Sequence, residues 1–190
     1  MTRATTLAQT ALGQDTLVKK AGLVLGGSLL IAIAAQVSVP MFPVPMTLQM
    51  LAILVVGFAM GARMAAATLV AYLAQGAMGL PVFANGGAGL AYMAGPTAGF
   101  LAGFVGVAYL AGLAADRGIA RGMISTTLVA LVLAAALYIP GLAWPAAVMG
   151  KSFGALWSGW MAPFLIGDAM KAVLAAMIVT GAWKALKARG

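Results

Sequence analysis

The sequence predicts an all-α membrane protein with six transmembrane helices, and three observations carry that prediction. Hydrophobic residues make up 64% of the 190 positions and charged residues only 7%, where soluble domains run about 45–50% and about 25%. Six apolar stretches recur along the chain, and its basic residues fall almost entirely on one set of the connections between them. Such hydrophobicity also excludes a disordered chain. The length suits one domain with room for about six spans of roughly 20 residues.

Taken in order, residues 1–20 are polar, with Arg3, Asp15, Lys19 and Lys20, and read as a cytoplasmic N-terminal segment. A signal peptide would begin its apolar region within a few residues of the start. Spans are predicted at 21–35, 48–60, 64–78, 96–115, 122–139 and 161–183. The shorter ones must extend into flanking residues to cross a hydrocarbon core of about 30 Å. Trp160 and Trp183 bracket the last span as interface anchors. The membrane domain thus covers 21–183, followed by a basic cytoplasmic tail at 184–190.

Charge placement sets the orientation. The N-terminus, Arg63, the 116–121 connection and the C-terminus together hold nine basic residues: Arg3, Lys19, Lys20, Arg63, Arg117, Arg121, Lys184, Lys187 and Arg189. The opposite connections, 36–47, 79–95 and 140–160, hold one, Lys151. Basic residues mark cytoplasmic flanks, so both termini are expected inside and these three loops outside a cytoplasmic (inner) membrane. Topology accounts for the net charge of +8, and no nucleic-acid partner is expected.

The outer loops run 12 to 21 residues, nearly uncharged and rich in Pro and Gly. Pro40, Pro43 and Pro45 forbid regular helix in the first. Gly86, Gly87 and Gly89 allow close backbone approach in the second. Irregular apolar backbone is tolerated at a membrane where it is buried in protein or lines a cavity. The loops therefore form either a packed cap or a cover over a ligand pocket. Gly95, Gly99 and Gly103, with Gly106 near the same face, let a neighbouring helix approach the fourth span. No internal repeat marks an inverted-repeat transporter.

Chemistry is narrowed by what is absent. Without Cys or His there is no disulfide, thiolate or imidazole, hence no metal site or cofactor is expected. Three acidic residues, Asp15, Asp116 and Asp168, and no nucleophile–base pair argue against an enzyme. Gly150-Lys151-Ser152 lacks the upstream glycine of a phosphate loop, since Pro145 stands there. Gly87 and Gly89 lack the third glycine of a dinucleotide site, where Tyr92 stands.

The sharpest feature is Asp168 and Lys171, three apart in the last span and so on one helix face. At about 1.5 Å per residue from Trp160, Asp168 lies some 12 Å below the outer interface. A charge near the bilayer centre costs at least ~2.5–3.5 kcal/mol and usually marks function. The pair is either mutually neutralising or part of a site. Gln36, Gln49, Gln75, Asn85 and Tyr92 fall at span ends or in the second outer loop. With Asp168 and Lys171 they suit a small solute bearing an amide-like group and a carboxylate. Phe42, Phe83, Trp157 and Phe164 are candidates to wrap its aliphatic part.

These residues stand in motifs that resemble a known family. Ala35-Gln36 precedes Val44-Pro45-Met46-Thr47-Leu48-Gln49; Gly76-Ala-Met-Gly79-Leu80-Pro81-Val82-Phe83, Gly95-Pro96-Thr97-Ala98-Gly99-Phe100 and Gly167-Asp168-xx-Lys171 follow in order. The chain resembles the BioY family of biotin-binding membrane subunits, the S components of energy-coupling factor (ECF) transporters. The resemblance implies six helices, cytoplasmic termini and an outward pocket capped by loops. It implies high-affinity biotin capture for uptake, with a transmembrane coupling protein and two cytoplasmic ATPases as partners. It further implies that Gln49, Asn85, Tyr92, Asp168 and Lys171 contact the ligand. Asp168 would accept from the ureido N–H groups, with Asn85, Gln49 and Tyr92 completing that ring's polar surroundings. Lys171 would meet the carboxylate or the ureido oxygen. The Ala-xxx-Ala pattern such subunits carry on their first helix has its nearest matches in Ser28-xxx-Ala32 and Ala32-xxx-Gln36. The alternative reading is a stand-alone, proton-coupled carrier of a small carboxylate-bearing vitamin, with Asp168 as its proton site.

Overall fold

The computed structural model describes residues 5–13 and 16–188; Arg3, Asp15 and Arg189, counted in the charge reading above, lie outside them. A short helix α1 (Leu7–Leu12) opens the chain. Thr6 accepts from the Gln9 amide while the Gln9 side chain accepts from the Thr6 amide, so two orphan donors of the helix start are satisfied reciprocally. The bundle then comprises α2 (Leu17–Gln36), α3 (Gln49–Met60), α4 (Ala62–Ala77), α6 (Ala98–Asp116), α7 (Met123–Met149) and α9 (Leu165–Lys187), with a one-turn helix α5 (Gly89–Met93) before α6 and another, α8 (Phe153–Leu156), after α7. Each of the six expected spans is thus matched by a bundle helix.

Among the described residues, four helical runs are long and apolar enough to cross a membrane: Leu17–Gln36, Ala98–Asp116, Met123–Met149 and Phe153–Lys187. The other two bundle helices, α3 and α4, have 12 and 16 residues. α3 packs inside the bundle, whereas α4 keeps one face exposed, Val70 included. α6 is the central element, contacting α3, α4 and α7; α9 closes against α7 and α3, and α2 lies on α3 and α4. The core between them is aliphatic and aromatic, with Ile31, Ile53, Leu54, Phe58, Leu69, Tyr72 and Phe83 sealed from solvent. At the basic end of the bundle, the Asp116 carboxylate at the end of α6 accepts from the Ala62 amide and so caps α4.

The expected Gly stripe on α6 is partly used. Gly99 and Gly103 face α7, where a Cβ on Gly99 would run into the Pro140 carbonyl and one on Gly103 would meet Leu137 and Pro140. Gly106 faces open space and Gly95 precedes the helix. This close approach explains a departure from the sequence expectation. The 140–160 connection, expected as an irregular outer loop, is helical as far as Met149, through Pro140 and Pro145. A proline inside a helix forfeits one amide bond. Here packing against the α6 glycines, and an apolar environment that favours unbroken helix, retain it.

The first outer connection behaves as its prolines require. Ser38–Val39 (β1) and Met46–Thr47 (β2) pair antiparallel, and the segment between them is irregular. After α8, one turn of π-helix (Trp157–Met161) and a 3-10 turn (Ala162–Phe164) lead into α9. Trp160 is only 5% exposed and packs with Val44, Tyr138, Leu156 and Phe164. It is therefore a core residue rather than an interface anchor, and depth counted from it loses its reference.

Candidate functional site

At the loop end of the bundle a recess encloses about 610 Å³, open solvent at its mouth included. Four of the five site residues expected from sequence line it: Gln49, Tyr92, Asp168 and Lys171. Asn85 does not. Its side chain turns to the first outer connection, where its amide oxygen accepts from the Ser38 hydroxyl at 2.7 Å. The neighbouring Ala84 lines the recess instead.

Asp168 and Lys171 sit one turn apart near the start of α9, with Lys171 Nζ 3.0 Å from Asp168 Oδ1. Their side chains are 15% and 8% exposed. The other carboxylate oxygen accepts from the Tyr138 hydroxyl at 2.6 Å. Tyr138 belongs to α7 and also lines the recess; its ring stands edge-on to Phe100 at 6.0 Å. Sequence reasoning did not single it out, because a tyrosine within a long apolar helix carries no sign of its partner.

Gln49 opens α3 and is 5% exposed. Its amide nitrogen donates to the Tyr72 hydroxyl at 2.7 Å, and that hydroxyl donates to the Val82 carbonyl at 2.9 Å. The Gln49 amide oxygen accepts from Thr47 at 3.0 Å. A buried amide must satisfy both ends, and this relay does so while tying the recess to the second outer connection. The same connection is held a second time by Gln36, which donates to the Phe83 carbonyl at 2.9 Å and accepts from the Gly86 amide at 2.9 Å. Gln75, by contrast, donates to Ser28 and joins α4 to α2 away from the recess.

Tyr92 lies stacked on Phe83 at 5.1 Å, and Phe83 stands edge-on to Tyr72 at 5.6 Å. Burial pushes the Tyr92 phenol above its usual pKa, with a hydrogen bond to Thr97 opposing the shift; it is a neutral donor at physiological pH. Phe83 occupies a slot that Gly76 leaves open, since a Cβ there would fall within the Phe83 ring. Phe83 is thus part of the support under the site. Of the aromatic residues expected to wrap a ligand, only Phe164 lines the recess; Phe42 is 94% exposed and Trp157 47% exposed. The apolar lining comes instead from Val44, Met50, Phe100, Phe104 and Leu137.

The arrangement offers an ion pair with a phenol on one side, an amide and a threonine on another, and a second phenol in the covering segment. It suits a neutral polar head with several N–H and C=O groups joined to an apolar body. No cluster of metal-ligating side chains occurs among the described residues.

A family model described as the BioY family matches residues 3–188. The chain is 38% identical over 151 residues to a biotin transporter BioY of Rhizobium etli, covering 75% of this chain and 79% of that one. It is 34% identical to a probable biotin transporter BioY of Pyrococcus horikoshii, covering 78% and 86%. To a biotin transporter BioY of Rhodobacter capsulatus it is 35% identical, covering 80% and 85%. The fold is similar to a crystal structure of the S-component for biotin from an ECF-type ABC transporter, with a TM-score of 0.79 and 25% identity over 90% of this chain and 95% of that one.

Proposed function

The chain belongs to the BioY family, and from that premise we propose how its recess serves uptake. The protein is a multi-pass membrane protein that takes up biotin as the substrate-specific subunit of an ECF-type transporter; it is a transport component, not an enzyme. Six helices cross the cytoplasmic membrane, α3 and α4 included, with 21–183 as the membrane domain and 1–20 and 184–190 on the cytoplasmic side. The loop end then faces outward and the recess receives biotin from outside.

The observation that carries this reading is the Asp168–Lys171 pair on the wall of the recess. Asp168 accepts a hydrogen bond from a ureido N–H. Gln49 and Tyr92 supply further polar contacts to that ring, and Asn85 joins them from the covering segment by exchanging its Ser38 bond for one to the ring. Lys171 reaches the ligand's carboxylate or its ureido oxygen. Phe100, Phe104 and Leu137 take the aliphatic chain. Burial of such a body is worth roughly 25 cal/mol per Å² of apolar surface, and the polar groups then select by leaving any mismatched partner unsatisfied.

A transmembrane coupling protein and two cytoplasmic ATPases supply the energy. The Gly150-Lys151-Ser152 stretch lacks the upstream glycine of a phosphate loop. Isothermal titration of the detergent-solubilised protein alone is expected to show saturable, stoichiometric binding of biotin without nucleotide. A folded protein that gives no saturation with biotin would refute the reading. Copurification with the coupling protein and ATPases, and ATP-dependent uptake only in their presence, tests the partners.

A further inference from the structure

Asp168 is held from two directions, by Lys171 on its own helix and by Tyr138 on α7, 30 residues earlier in sequence. A carboxylate offers about four acceptor positions, two on each oxygen. The Tyr138 hydroxyl takes one on Oδ2, and the Lys171 ammonium takes one on Oδ1. One position on each oxygen is left. The two N–H groups of a five-membered cyclic urea diverge, so the carboxylate accepts from one of them, and that charge-assisted contact is sensitive to rotation of the carboxylate plane.

Lys171 alone does not fix that plane. It sits on a long flexible stem and binds as a point charge. Tyr138 is rigid by contrast. It is 5% exposed and packs with Val44, Leu156, Trp160 and Phe164, and Phe100 stands edge-on to its ring at 6.0 Å. Its hydroxyl position is set by α7 packing, and the short 2.6 Å bond to Oδ2 transfers that rigidity to the carboxylate. We propose that Tyr138 is a positioning residue: it orients Asp168 so that a free acceptor position of the carboxylate faces an N–H of the urea-type head of the ligand. This rests on the assignment of Asp168 to that head, given above.

The experiment measures biotin affinity of Tyr138→Phe in two backgrounds, wild type and the charge-neutral double variant Asp168→Asn/Lys171→Met, with thermal stability followed throughout. In wild type, Tyr138→Phe is expected to weaken biotin about 10-fold, the order of one charge-assisted hydrogen bond. It should weaken biotinamide by the same factor, since the hydroxyl acts on the urea end. In the neutral background the same substitution should cost no more than about 3-fold, because there is no charged carboxylate to orient. Equal losses in both backgrounds, or no loss in wild type, would overturn the proposal. So would a loss confined to biotin and absent for biotinamide, which would put the hydroxyl on the ligand's carboxylate. If wild type binds biotin but Tyr138→Phe is silent, only this inference fails. If wild type does not bind, the assignment beneath it fails as well.

Discussion

Replacing Asp168 by Asn separates a ligand contact from a structural ion pair, provided a second substitution accompanies it. Asp168→Asn alone removes the partner of a Lys171 side chain that is only 8% exposed and lies 3.0 Å away. Leaving a buried charge unpaired costs about 3–5 kcal/mol. The single variant should therefore melt well below wild type, and its affinity would be confounded by misfolding. Asp168→Asn/Lys171→Met removes both charges together, and neutral replacement of a buried pair is often nearly neutral for stability. The double variant should thus recover most of the lost melting temperature. It should not recover affinity. The ligand N–H would meet an amide oxygen in place of a carboxylate, and losing one charge-assisted hydrogen bond is worth about 1.5–3 kcal/mol, or roughly 10- to 150-fold. Biotin titration and thermal melting on the same detergent preparation give both quantities. A stable double variant that binds biotin as wild type does would refute the ligand role and leave the pair as scaffold.

Other consequences follow from the supports around the recess. Gly76→Ala would place a Cβ within the Phe83 ring, so overpacking should cost about 1–3 kcal/mol and displace Tyr92, which stacks on that ring; unchanged melting and affinity would refute the support role of Phe83. Gln36→Ala frees the Phe83 carbonyl and the Gly86 amide and should speed hydrogen exchange across 82–87 while hastening biotin release, with unchanged exchange counting against the clamp. Topology is testable because the chain has no Cys: a single Cys at the exposed Asn85 should react with an impermeant maleimide from outside, and reaction from the cytoplasmic side alone would invert the orientation.

What the sequence made legible, and what it hid, follows the range of the interactions. The starts and ends of α3 and α6 were readable within about two residues because their apolar runs are uninterrupted. The Asp168–Lys171 pair was readable because three residues along a helix is a fixed distance. The extension of α7 was not. Pro140 and Pro145 are breakers in water, and only the facing Gly99 and Gly103 show that helix persists. The same limit applies to the polar groups of the recess. Asp168 is completed by Tyr138 across 30 residues, Gln49 by Tyr72 across 23, and Gln36 by Phe83 across 47. Each of these residues is visible in the sequence as a polar side chain that an apolar setting must satisfy; its partner is not. Asn85 is the case where that gap misleads. Its side chain is satisfied by Ser38, 47 residues earlier, so in this structure its amide ties the covering segment to the hairpin rather than lining the recess. To reach a ligand it would have to exchange that bond for one to the ureido ring. An Asn85→Ala protein should accordingly change the rate of biotin entry and exit more than a Gln49→Ala protein does, whereas loss of affinity at unchanged rates of entry would place Asn85 directly on the bound ligand.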